Sequence, residues 1–109
     1  MIHMRKIPEE LLKEMLSEKF YRSCCICGSK HRQLHHNLIF GRAQQNIKSA
    51  ILPLCGACHA RADNVEFRER LDHIMLNRMT EEEIDTYSRV RNLRERRKFL
   101  NDKFRRETN

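Results

Sequence analysis

Four cysteines in two pairs constrain this chain more than any other feature. Cys24 and Cys27 form one Cys-x-x-Cys, Cys55 and Cys58 form a second, and 27 residues lie between the pairs. Each such knuckle presents two thiolates to one ion, and four sulfurs complete a tetrahedral zinc site. Gly28, directly after the first pair, supplies the tolerance of positive φ that a knuckle needs. The interval exceeds that of a zinc ribbon and leaves room for a hairpin. A closed four-sulfur site is structural, so the zinc expected on Cys24, Cys27, Cys55 and Cys58 holds the fold and performs no chemistry. Two unrelated thiol pairs, or disulfides, are the plainer alternative, and the doubled motif weighs against it. Size argues the same way. A chain of 109 residues makes one small domain, where a hydrophobic core alone is marginal. With 39% apolar residues and no tryptophan, a structural metal stands in for missing core. The cysteine count of five is odd, and the spacing is not that of a secreted disulfide framework. Cys25, the one left over, reads as a packed small side chain.

The stretch between the pairs carries Leu34-His35-His36-Asn37, and the second pair runs on into His59-Ala60-Arg61-Ala62-Asp63. In these residues the chain resembles the HNH nuclease family, whose core is a ββα-metal unit often carried on a zinc-bound treble clef. The resemblance covers about 40 residues, close to two fifths of the chain. It implies that His35 binds a catalytic divalent metal, that His36 is the general base, and that His59 is a further metal ligand. Asp63, four positions on, completes the site by the same resemblance. The family also carries an asparagine nine residues before its final histidine, where the side chain pins the hairpin loop. Here that position is Ala50, with Asn37 and Asn46 as the nearest substitutes.

Physical reasoning runs beside the resemblance. His59 and Asp63 are an i, i+4 pair, which shares one face of a helix beginning near Cys58. His35 would then arrive from the hairpin as a third ligand, and three ligands with open positions make a catalytic metal site. Imidazole and carboxylate suit Mg2+, Mn2+, Ni2+ or Zn2+ alike. Adjacent residues on a regular strand face opposite ways, so His35 and His36 share a site only where the strand ends or kinks.

The chain divides into an N-terminal helical segment, 1–23, the zinc-bound module, 24–64, and a helical extension, 65–109. Pro8 suits a first helical position, with Glu9 and Glu10 at the positive end of the dipole. Leu11, Leu12, Met15, Leu16 and Phe20 follow as one apolar stripe expected to pack across the module. Leu34–Phe40 and Ala50–Leu54 read as a small hairpin turning near Gly41, with Pro53 excluding a ladder bond at its own nitrogen. Beyond Asp63 the pattern is helical throughout. Phe67, Leu71, Ile74 and Met75 form a core face, and Thr80 with Glu83 makes a capping box that ends one helix near Met79 and starts another at Glu81. Val90, Leu93, Leu100 and Phe104 then repeat at three-four spacing with Arg97 in one slot. Either that helix folds back on its own domain or it forms a homodimer seam; two heptads favour the first. His3, His31 and His73 read as surface or packing residues, with His31 near the first knuckle.

Charge is concentrated at the end. From Arg89 to Asn109 there are nine Lys/Arg and three Asp/Glu, a net of +6 out of +7 for the chain. A basic helix is the footprint of a polyanion-binding arm, and a solvated helix face is the ordinary alternative. Arg42 and Lys48 in the hairpin loop, Arg61, and Arg94, Arg97 and Lys98 in the last helix are the candidate DNA contacts, made mainly to backbone. No run reaches membrane-spanning length and no apolar signal region opens the chain, so a soluble intracellular protein is expected. The fold expected is α+β: a small zinc-bound treble-clef/ββα-metal domain with a hairpin and flanking helices. The function expected from the resemblance is a metal-dependent HNH-type DNA endonuclease of phage or prophage type. A non-catalytic zinc module that binds nucleic acid is the rival.

Overall fold

The first helix starts where the sequence places a proline followed by two acids. In a computed structural model that describes residues 5–88 and 92–108, with side chains of the last helix to Arg105, α1 spans Glu9–Leu16. Pro8 is its N-cap, one position earlier than expected, and Glu9 and Glu10 occupy the first turn. The apolar stripe is narrower than its sequence. Met15 is fully buried, Leu11 and Leu12 are half-buried, and Leu16 is exposed. A 3-10 turn at Lys19–Arg22 then buries Tyr21. The Tyr21 hydroxyl donates to the carbonyl of Lys48 and accepts from Arg78 Nη2 at 3.2 Å, while the Arg78 guanidinium lies 3.8 Å over the Phe20 ring. These contacts fasten the N-terminal segment to the rest.

Two strand pairs replace the single hairpin that the apolar runs predict. β1 (Gln33–His36) pairs antiparallel with β4 (Ile51–Leu54), from Gln33 opposite Leu54 to His36 opposite Ile51. The Asn37 N–H donates to the Ala50 carbonyl at 2.9 Å and extends this register by one pair. Antiparallel pairs alternate between bonded and non-bonded, so Pro53, opposite Leu34, falls on a non-bonded pair where a missing N–H costs nothing. Within the connection, β2 (Ile39–Phe40) and β3 (Ala43–Gln44) make a second, minimal hairpin. Its turn is Gly41-Arg42, with φ of 61° and 63°. Positive φ at both central residues is the turn geometry that matches the right-handed twist of paired strands.

The helices follow their capping signals. α2 (Gly56–Ala60) is short and starts on Cys55. α3 (Val65–Arg78) is capped by Asn64, whose side chain accepts from the Phe67 N–H at 3.0 Å. Phe67, Leu71 and Met75 face the core as the pattern predicts, whereas Ile74 is half-buried and Asp72 is buried in its place. Thr80 and Glu83 form the expected capping box at the start of α4 (Glu81–Tyr87). α5 (Leu93–Thr108) completes the chain. One core cluster joins Cys24, Leu52, Leu54, Cys55 and Cys58 to Phe67, Leu71, Leu76, Ile84, Leu93 and Leu100. That cluster draws its members from both the cysteine-bearing segment and the helices after Asn64.

α5 folds back onto α3 and α4. Leu93 and Leu100 are buried inside the chain, and the half-buried Phe104 ring stacks on His73 at 4.7 Å. The three-four repeat is thereby used by the chain's own core. Val90, Arg89 and His3 lie outside the described residues. Among the described residues, no helix is long and apolar enough to cross a membrane. Because Leu100 is fully enclosed, Leu100→Ala should cost about 2–5 kcal/mol, a large fraction of a small domain's stability. Truncation after Tyr87 should give unfolded or aggregated protein. Urea denaturation of the point variant, and solubility of the truncation, check both.

Candidate metal centre and histidine pair

The two knuckles converge. Among the described residues, Cys24, Cys27, Cys55 and Cys58 form a group whose sulfurs lie within 4.8 Å of one another, three of them buried and Cys27 exposed. Cys27 and Cys55 Sγ are 3.5 Å apart. Four sulfurs around a tetrahedral Zn2+ with bonds of about 2.3 Å stand roughly 3.8 Å from each other, so the cluster fits a structural metal such as zinc. Local backbone explains the convergence. The Gly28 N–H donates to the Cys24 carbonyl at 2.9 Å and Gly28 takes φ of 80°, which curls the first knuckle. Cys55 is the N-cap of α2, and its sulfur accepts from the Cys58 N–H at 3.4 Å.

The thiols are not equivalent. Burial pushes Cys58 up to about 12, helped by hydrogen bonds shared with the neighbouring sulfurs. At Cys24 burial acts the same way but is outweighed by the backbone N–H groups of Cys27, Cys55 and Ile26, which bring it down to about 6. Burial and hydrogen bonding thus set one thiol to ionise readily and another to resist, and a divalent cation among them stabilises the thiolate form of all four. Cys25 stays outside the cluster. Its thiol packs against the core, its N–H donates to the Pro53 carbonyl at 2.9 Å, and burial pushes it up to about 11.

Next to this cluster stands a pair of histidines. His35 on β1 and His59 on α2 meet edge to face with ring centroids 5.2 Å apart. The two rings are in direct contact, whereas among the described residues the group of three or more ligand atoms close enough to hold a metal ion is that of the four cysteines. Burial, and then the charge of His59, lower the His35 pKa. His35 Nε2 is 3.3 Å from Asn37 Oδ1. His36, at the strand's last residue, makes a different contact: its Nε2 lies 2.8 Å from Asn46 Oδ1, and Asn46 Nδ2 donates to the Lys6 carbonyl at 3.0 Å.

Asp63 is where the sequence pattern misleads. The i, i+4 argument places it on one helix face with His59, but α2 ends at Ala60. The chain leaves it through turns in which the Ala62 N–H donates to His59 and the Asn64 N–H donates to Arg61. Asp63 is thus an exposed turn residue before α3 and not part of a helix shared with His59. The strong N-cap at Asn64 starts a new helix and sets this boundary.

The loop-pinning side chain is also not where the family has it. Ala50 is fully buried. The connection is tied instead by Gln45, whose Nε2 donates to the carbonyls of Phe40 at 2.9 Å and Ala43 at 3.0 Å. Gln45 was legible only as a polar loop residue, while Asn46, a candidate substitute for the missing asparagine, bonds to His36 and to the Lys6 carbonyl. Asp72 had a clearer signal, a carboxylate between Leu71 and Met75 on an otherwise apolar helix face.

Several candidate DNA contacts are committed within the chain. Lys48 pairs with Glu14 and Glu18, each at 2.9 Å, and these two carboxylates raise its pKa. Arg94 bonds to Glu81 and Asp85, and Arg97 to Glu81 at 2.8 Å. The same pairing brings the Glu81 carboxyl down to about 2, through Arg97 and then Arg94. Arg96 and Lys103 pair with Asp72 and Glu69. Among the described side chains of α5, Arg94, Arg96, Arg97 and Lys103 are therefore paired with acids of α3 and α4. Arg42 at the β2–β3 turn, Arg61 with its guanidinium 4.7 Å over the Phe67 ring, and Lys98 are exposed. Comparison of the chain with protein-family models, curated proteins and solved structures finds no match.

Proposed function

We propose that the chain is a metal-dependent HNH-type endonuclease that hydrolyses DNA phosphodiester bonds, built as a treble clef around a structural zinc. The observation that carries this reading is the His35–His59 pair, two imidazoles from a strand and a helix set side by side next to the cysteine cluster. His35 and His59 would hold a second divalent ion (Mg2+, Mn2+, Ni2+ or Zn2+), with Asp63 able to join only from its turn. When bound, such an ion supplies positive charge to the phosphate and to the departing 3′ oxygen.

The chain's own groups supply the rest. Asn46 Nδ2 is taken by the Lys6 carbonyl, so its Oδ1 faces His36 and accepts from Nε2–H. That leaves His36 Nδ1 as the basic nitrogen, the group to take a proton from the water attacking phosphorus. Arg42, Arg61 and Lys98, all exposed, would contact the phosphates. Incubation of supercoiled plasmid with zinc-loaded protein and added Mg2+ or Mn2+ tests the proposal, and metal-dependent nicking or linearisation is expected.

A second reading, a non-catalytic zinc module that binds nucleic acid, is favoured by one observation: Asp63 lies beyond the end of α2. It predicts tight DNA binding with no cleavage under any divalent metal.

A further inference from the structure

Asp72 is a buried carboxylate on α3 with no place in either reading so far, and its contacts lead to His35. Arg96 Nε donates to Asp72 Oδ2 at 2.8 Å and holds the carboxylate from the α5 side. The other oxygen, Oδ1, accepts from Asn37 Nδ2 at 2.9 Å, and the same nitrogen lies 3.4 Å from Met75 Sδ. A carboxylate accepts and cannot donate, so the Asn37 amide has one orientation: nitrogen toward Asp72, oxygen toward His35. The backbone of Asn37 is fixed as well, through its N–H to the Ala50 carbonyl. Its oxygen then lies 3.3 Å from His35 Nε2 and must accept from it. His35 is thereby held with the proton on Nε2 and a lone pair on Nδ1.

We infer that Asp72, anchored by Arg96 and acting through Asn37, is a positioning residue that sets the His35 tautomer and leaves Nδ1 as the nitrogen presented to a metal ion. The role assigned to that nitrogen rests on the nuclease reading; the tautomer does not. Partners of this kind that fix the second nitrogen of a ligating histidine typically change metal affinity by about 10–100-fold when removed.

The test uses the full chain loaded with zinc and labelled with 15N-histidine, at a pH where imidazole is neutral. Two-bond proton–nitrogen correlations separate the two neutral tautomers. His35 should be the Nε2–H form in the wild type and a mixture in Asn37→Ala, which leaves the Asp72–Arg96 pair in place. Asp72→Leu should give the same mixture, with Asp72→Asn restoring part of the preference through its one acceptor oxygen. Ni2+ affinity, read by calorimetry on the zinc-loaded protein, should fall roughly 10- to 100-fold in Asn37→Ala and Asp72→Leu. If Asp72→Leu fails to fold, Asp72→Asn, expected to weaken the Nε2–H preference, tests Asp72 beside Asn37→Ala, and an unchanged tautomer in both overturns the inference. A wild-type His35 protonated on Nδ1, or an unchanged tautomer in folded Asn37→Ala, overturns the inference. So does an altered tautomer with unchanged Ni2+ affinity. A fixed tautomer with the expected loss of Ni2+ affinity, in a protein that never cleaves DNA, overturns the nuclease reading and leaves the relay standing.

Discussion

Cys55→Ser should leave the chain without zinc and without a stable fold. Cys55 contributes to three things at once: it is a sulfur of the cluster, the N-cap of α2, and part of the main core. Structural zinc in small modules is bound with about 10–16 kcal/mol, as much as or more than the whole stability of a typical domain. Little can compensate, because the core here is small and includes Cys24, Cys55 and Cys58 themselves. Circular dichroism should lose its cooperative melt, and elemental analysis should fall from one zinc per chain to a substoichiometric level. Prolonged chelation of the wild type should do the same. Cys25→Ser is the internal control: Cys25 lies outside the cluster, so the variant should keep its zinc and melt within a few degrees of wild type. Fully folded wild-type protein with no zinc would contradict the assignment.

His36→Ala should reduce DNA cleavage by about two to four orders of magnitude, the contribution of a well-placed general base. Zinc content, DNA affinity and affinity for the second metal should stay near wild type, because the His36 contact is to Asn46 and not to the His35–His59 pair. His59→Ala should fail differently, losing cleavage and second-metal affinity together. Asp63→Ala should be the mildest of the three, because the turn places that carboxylate off the helix of His59. Single-turnover cleavage of a short duplex, paired with calorimetry, separates these patterns. If wild type binds DNA tightly and never cleaves it, all three substitutions should be silent except through stability, and the binding-module reading stands.

Local chemistry was legible and long-range polar partnering was not. The cysteine spacing predicts a shared metal cluster because four thiolates at the ends of two tight knuckles have few other arrangements. Thr80 and Glu83 predict a helix start because their capping bonds are made within four residues. The i, i+4 rule failed at Asp63 because it assumes a continuous helix, and the Asn64 cap breaks it. The basic tail read as an arm because charge can be counted along a sequence while its counter-ions cannot. Glu81, Asp85, Asp72 and Glu69 reach it only once α5 folds back. Asn37 and Asp72 are 35 residues apart, and nothing short-range announces that they touch.

The minimal hairpin inside the β1–β4 connection gives the site room to diversify. Its base is closed ahead of the tip: the Asn37 N–H donates to the Ala50 carbonyl at 2.9 Å, and the Gln45 N–H donates to the Leu38 carbonyl at 3.1 Å. Added residues at Gly41-Arg42 would therefore grow outward from a closed base, and His35 and His36 would keep their register against Leu52 and Ile51. Loop exchange at that tip should change the exposed surface around Arg42 while the imidazoles below it stay where they are.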